Sequence, residues 1–191
     1  MVAIPSWTPD GVLPPIDLVA PTSAERAPYQ VRLVDIVNRY STSASRRHIL
    51  DGLLRFRAAL HTNGYRAGFQ WLDGSFVENI EVIESRAPKD VDVVSFVEDP
   101  LPNATPNAAE LRALDHDDAK TDFAVDSYFV ELDQLSPREL SQQSAYWYSM
   151  WAHRRDFTWK GFLQIDLDPS EDAAAVLILA QNMAASAATT P

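Results

Sequence analysis

The chain has 191 residues, 46% of them hydrophobic, enough for one domain with a real core. It has no cysteine, which excludes disulfides and thiolate metal sites and makes a cytoplasmic location the default expectation. A formal charge of -11 argues against broad nucleic-acid binding, though not against a small basic pocket for one nucleotide. No stretch approaches the roughly 18 consecutive apolar residues of a membrane span. Met1 to Asp10 has neither a basic region nor an apolar run, so no secretion signal is expected there.

Residues 1–28 contain Pro5, Pro9, Pro14, Pro15, Pro21 and Pro28. Proline fixes the backbone and resists helix, so this segment is expected to be an extended arm, pinned by Trp7, Val12, Leu13, Ile16 and Leu18. Residues 29–186 read as a single domain, and 187–191 as a disordered tail. Val31 to Tyr40 predicts a short helix or turn-rich piece. Ser43 or Ser45 caps a stronger helix running to about Thr62, with Ile49, Leu50, Leu53, Leu54, Ala58 and Leu60 as its buried stripe. Asn63-Gly64 stops it.

Phe69 to Leu72 predicts a strand leading into a Gly74-Ser75 turn, and 77–89 a charged connection. Val91 to Val97 is the second strand, 99–106 a loop, Ala108 to Asp117 a helix, and Phe123 to Leu132 a third strand. Ser136-Pro137-Arg138-Glu139 combines a capping serine, a first-turn proline and a capping-box glutamate, starting a helix that reaches about His153. Gly161 to Leu167 is a fourth strand. Asp168-Pro169-Ser170-Glu171 starts the last helix, through Val176, Leu177, Leu179 and Met183. Helices flanking a small mixed sheet make the expected class α/β (α+β).

The chemistry concentrates at Leu72-Asp73-Gly74-Ser75-Phe76 and at Asp90-Val91-Asp92-Val93. Side chains two apart on a strand share a face, so Asp90 and Asp92 stand side by side. Adjacent carboxylates repel and call for a cation. Oxygen-only ligands of this kind suit Mg²⁺, which fills its other positions with water and substrate phosphates. The Gly74-Ser75 turn supplies backbone N–H groups that can approach those phosphates, and the Ser75 hydroxyl another donor; Asp73 reads only as shaping the turn. This is the pattern of nucleotidyltransferases of the polymerase-β type. Asp126, in mid-strand, is the candidate third carboxylate, and three acids could hold two metal ions. The bland alternative is an edge aspartate facing solvent.

Lys160 is the candidate phosphate countercharge, weighed evenly against a surface lysine; for Arg154 and Arg155 surface solvation is the better account. The run Tyr146, Trp147, Tyr148 and Trp151, with Phe157 and Trp159, could stack a base but reads better as core or subunit interface. Asp115-His116-Asp117-Asp118 reads better as a solvated helix end than as a metal site.

Pro28-Tyr29-Gln30-Val31 through Arg46-Arg47, Phe69 to Phe76, Pro88-Lys89-Asp90-Val91-Asp92-Val93-Val94, Val125-Asp126-Ser127-Tyr128-Phe129, Tyr146 to Trp151 and Trp159-Lys160-Gly161-Phe162 together resemble an uncharacterised bacterial family of nucleotidyltransferase-like proteins, the domain of unknown function numbered 6932. The resemblance spans roughly residues 9–170. It implies a polymerase-β nucleotidyltransferase fold and, by the wider superfamily, Mg²⁺-dependent nucleotidyl transfer with two ions held by Asp90, Asp92 and Asp126. Asp126 is then the general-base candidate beside the acceptor metal, and Gly74, Ser75 and Lys160 are the nucleotide-binding residues. Fourteen residues separate Ser75 from Asp90, at the long end for that superfamily, and Glu78, Glu81 and Glu84 add acids near the entrance.

The resemblance further implies a minimal form without a separate base-binding domain, similar to toxin–antitoxin and phage-defence components. The expected partners are a nucleoside triphosphate, an acceptor (protein, RNA or small molecule), and a second copy or an operon-encoded protein; no membrane is expected. The alternative is a catalytically inactive binding module of the same fold working in a protein complex. A weaker third reading is a nuclease or phosphohydrolase on the same carboxylates.

Overall fold

Ser43 accepts a hydrogen bond from the backbone N–H of Arg46 and starts the longest helix among the described residues, 1–188, of a computed structural model. This helix, α2 (Ala44–Thr62), follows α1 (Leu33–Tyr40). Its Ile49, Leu50, Leu53, Phe56 and Leu60 are fully or almost fully buried, as their helical spacing requires. Gly52 lets α2 close on Phe123, since a Cβ there would meet the Phe123 carbonyl oxygen at 1.8 Å.

Among the described residues five strands form one mixed sheet: β1 (Tyr29–Gln30), β2 (Gly68–Asp73), β3 (Val91–Val97), β4 (Val125–Glu131) and β5 (Leu163–Asp166), in the order β1-β5-β2-β3-β4. β5 enters between β1 and β2, parallel to the first and antiparallel to the second. β2 and β3 are antiparallel, and β3 and β4 parallel. The class is α+β, as the order of elements implies. The remaining helices are α3 (Ile80–Ile83), α4 (Ala108–Leu111), α5 (His116–Phe123), α6 (Pro137–Trp151) and α7 (Asp172–Ala188).

The two sheet faces have different company. Gln70 and Ser95 face α2, where buried Arg57 donates to Gln70 Oε1 at 2.7 Å and ion-pairs with Asp172 of α7. The opposite face carries Trp71, Phe96 and Tyr128 and is covered by α6, with Trp147 against Tyr128 at 4.8 Å and Trp151 against Phe162 at 5.9 Å. That second face continues along its strands to the site described below.

Two expectations change. The helix predicted over 108–117 is split: α4 stops at Leu111, a 3₁₀ turn follows, and Asp115 starts α5 as a new cap, its side chain accepting from the Asp118 N–H. Asp115 therefore ends one segment and begins the next, because a short acceptor side chain competes well for free N–H groups. The connection predicted over 77–89 contains the one-turn helix α3, and Glu78 in it is buried.

Residues 1–28 hold no helix; Val12 and Leu13 are buried, the Trp7 indole donates to the Val77 carbonyl at 2.8 Å, and Gly161 N–H donates to the Leu13 carbonyl. Of the segment 187–191, residues 187 and 188 belong to α7 and 189–191 lie outside the described residues. Among the described residues no helix is long and apolar enough to cross a membrane.

Candidate functional site

Strand register builds the site. Asp73 at the end of β2 is paired with Asp92 on β3, and Asp92 with Asp126 on β4. Residues in register on neighbouring strands, about 4.8 Å apart, point to the same face. Three aspartates thus form one rung across three strands. Asp90, two residues before Asp92, adds a fourth carboxylate, and Lys120 touches both it and Asp126. The structure brings together all three acids singled out from sequence, and adds Asp73. Asp73 had looked like a turn residue because register is not visible in a single strand.

The turn after β2 is fixed by the same rung. Gly74 has φ +80°, and a Cβ there would lie 2.6 Å from Asp92 Oδ2. Both the left-handed backbone and the close approach require glycine. Ser75 follows, half-buried. Arg46, fully buried on α2, holds the next residues: its guanidinium donates to the carbonyls of Phe76 at 2.6 Å and Glu78 at 2.7 Å and pairs with Glu81 at 2.6 Å.

Lys160 lies beneath this turn. Its ammonium bonds Asp73 Oδ1 at 2.7 Å and Glu78 Oε1 at 3.0 Å, with all three side chains buried. Its charge is thus directed to two carboxylates of the protein itself. Burial lowers the Lys160 pKa, but Asp73 and Glu78 outweigh that and raise it overall. Burial drives the Asp73 carboxyl up to about 6, with Lys160 restraining the rise. Arg154 is similarly engaged by Glu78 and Glu84. Of the acids expected at the entrance, Glu78 thus pairs with Lys160 and Arg154, Glu84 with Arg154, and Glu81 with Arg46.

The other end of the rung is more open. Burial, and then the charges of Asp73, Asp126 and Asp90, push Asp92 up to about 7. On α5, His116 and Lys120 are one turn apart and both reach Asp126. Lys120 hydrogen-bonds Asp126 and lies 3.3 Å from Asp90 Oδ2; the bond to Asp126, joined by the charges of both acids, raises the lysine pKa although burial opposes it. His116 Nδ1 lies 2.9 Å from the Ser127 carbonyl, which only accepts, so Nδ1 carries the proton. His116 Nε2 then faces Asp126 Oδ1 at 3.5 Å, and that oxygen is buried without a hydrogen-bond partner.

Asp73, Arg46, Glu78, His116 and Lys120 had not been selected from sequence. The one available signal was the i, i+4 pair His116 and Lys120 just ahead of the Asp126 strand.

Mg²⁺ can be weighed against these residues. The donors are carboxylate oxygens, the kind it prefers, and Asp126 Oδ1 lacks a partner. Among the described residues, however, no group of three or more His, Cys, Asp or Glu side chains is arranged to hold a metal ion as it stands. Lys120 already bridges Asp90 and Asp126 as a cation. The set fits Mg²⁺ in chemistry and charge, with a lysine ammonium serving as its present counter-ion.

A family model described as a family of unknown function, DUF6932, matches residues 5–166. The chain belongs to this family. Comparisons with curated proteins and with solved structures find no match. The span matched to DUF6932 contains every site residue named above and ends with β5, so α7 lies beyond it.

Beside the DUF6932 acid rung lie the aromatic residues of α6. Tyr128, two residues after Asp126, packs between Trp147 at 4.8 Å and His116 at 5.0 Å, its ring tilted against both. Trp147 and Trp151 are core, whereas Tyr146, Met150, Phe157 and Trp159 are exposed.

Proposed function

We propose that this protein is a Mg²⁺-dependent nucleotidyltransferase of the polymerase-β type, moving a nucleoside monophosphate from a nucleoside triphosphate to a hydroxyl on a protein, an RNA end or a small molecule. The observation that carries this reading is the rung of Asp73, Asp92 and Asp126, with Asp90 alongside and the Gly74 turn packed on Asp92. So many carboxylates on one face of a sheet cost folding energy, as the raised Asp92 and Asp73 pKa values indicate. A fold retains such a cost most readily where the charges do chemical work.

In this reading Asp90, Asp92 and Asp126 would hold Mg²⁺, which would supply charge neutralisation at the phosphates and lower the barrier to forming the attacking alkoxide. Asp126 accepts the acceptor hydroxyl's proton. The acceptor oxygen bonds to the α-phosphorus, the bond from that phosphorus to the bridging oxygen breaks, and pyrophosphate leaves with the electron pair. Gly74 and Ser75 contribute N–H groups and a hydroxyl to hold the triphosphate. Lys160, read from sequence as a phosphate ligand, serves instead as a positioning residue that keeps Asp73 and Glu78 paired under the turn.

The test is calorimetry with Mg²⁺ and each triphosphate. Wild type is expected to bind one of them in a metal-dependent way and Asp92→Ala to lose that binding; unchanged binding by the variant would overturn the assignment. A second reading, an inactive module of the same fold acting in a complex, is favoured by the Lys120 bridge and by the exposed Tyr146, Met150 and Trp159. Nucleotide binding without pyrophosphate release would select it.

A further inference from the structure

We propose that Lys120 is the built-in counter-ion of the acid rung, and that a divalent cation enters by displacing its ammonium from Asp90 and Asp126. The inference rests on the metal-dependent reading above and adds how the site is controlled. The two ammonium groups at the rung are held differently. Lys160 is 5% exposed, locked between Asp73 and Glu78. Lys120 is 45% exposed on α5, yet its ammonium reaches inward to two carboxylates from different segments. A lysine stem of four carbons can swing its ammonium into solvent without moving its helix. Lys160 is therefore a fixed part of the fold, and Lys120 a removable one.

The acids leave room for this exchange. Among the described residues, Lys120 is the cation paired with both Asp90 and Asp126, while His116, its proton on Nδ1, turns Nε2 to Asp126 Oδ1 at 3.5 Å. Asp92 has no ion pair among them, although Asp73 and Asp126 stand in register on either side of it. The buried Asp126 Oδ1 remains without a donor. One ammonium thus offsets only part of the charge, whereas a divalent ion offsets more of it. The exchange breaks two ion pairs and forms no covalent bond.

An occupied bridge lowers apparent metal affinity by the fraction of molecules in which it is open. If the bridge is formed nine-tenths of the time, removing it tightens metal binding about tenfold. The experiment is a Mn²⁺ titration of the full chain by calorimetry and by the loss of the free-ion electron paramagnetic resonance signal. It compares wild type, Lys120→Met, Lys120→Gln, Asp92→Asn and Lys89→Met. Lys89 is exposed and next to Asp90, so its variant removes a nearby charge without touching the bridge. The expected result is about tenfold tighter Mn²⁺ binding in both Lys120 variants, a change under about twofold in Lys89→Met, and loss of binding in Asp92→Asn. Equal Mn²⁺ affinity in wild type and both Lys120 variants, or an equal gain in Lys89→Met, overturns the Lys120 inference while leaving the metal site standing. Mn²⁺ bound by no form, or bound equally by Asp92→Asn, overturns both the inference and the reading beneath it.

Discussion

Asp92→Asn is expected to make the metal-free protein more stable while removing its nucleotide binding. Burial and three neighbouring carboxylates raise the Asp92 pKa from an ordinary 3.8 to about 7. The folded chain therefore holds this proton to higher pH than the unfolded chain does. Between about pH 4 and 7 the native state binds more protons, so stability falls as pH rises through that window and stays low above it. At 1.36 kcal/mol per pH unit, the move from 3.8 to about 7 corresponds to roughly 4 kcal/mol above pH 7. Part of that repulsion is shared with Asp73, so the gain from Asn is about 2–4 kcal/mol. The assay is urea unfolding in chelator at pH 4.5 and pH 8.5. At pH 8.5 the variant's midpoint should exceed wild type by on the order of 1 M urea. At pH 4.5, where the unfolded carboxyl of ordinary pKa 3.8 is still mostly ionised, the gap should shrink to about 1 kcal/mol or less. A variant no more stable than wild type at pH 8.5, or a gap of equal size at both pH values, would refute the reasoning.

Lys160→Met leaves the Asp73 side chain, 4% exposed, without its cation, and Glu78, 6% exposed, with Arg154 alone at 3.6 Å. Removing one partner of a buried pair costs about 3–5 kcal/mol, and urea unfolding should show a larger loss at pH 8 than at pH 5, where Asp73 keeps its proton; a wild-type midpoint at pH 8 would count against the buried cluster. Gly74→Ala forces a Cβ to 2.6 Å from Asp92 Oδ2 on a backbone at φ +80°. Thermal unfolding should show a loss of about 1–2 kcal/mol or more with weakened triphosphate binding, and a variant that melts and binds like wild type would sink that account of the turn.

How much of this was legible in the sequence depended on the range of the interaction. Local signals held: of the two candidate caps Ser43 and Ser45 the first starts α2, and the Ser136–Glu139 capping box and the run Val91–Val97 appear where the residues place them. These are decided within a few residues by hydrogen bonding and alternation. The pairing of Asp73 with Asp92 was not legible, because strand register is fixed by packing across the whole sheet. Nor was β1, two residues that become a strand only through the edge of β5. Asp115 was read as part of a helix end although it starts α5; the misreading hid Lys120 and His116, which face Asp126 only once α5 exists. Lys160 stood evenly balanced between a phosphate countercharge and a surface lysine, because its partners Asp73 and Glu78 lie 87 and 82 residues away.

The most direct test of the central claim is pyrophosphate release from each nucleoside triphosphate with Mg²⁺ and a desalted cell extract as the source of acceptor. Wild type should release pyrophosphate from at least one triphosphate, and Asp90→Asn should release none above the extract alone. Release that persists undiminished in Asp90→Asn, or that wild type fails to produce with any triphosphate, would contradict the account.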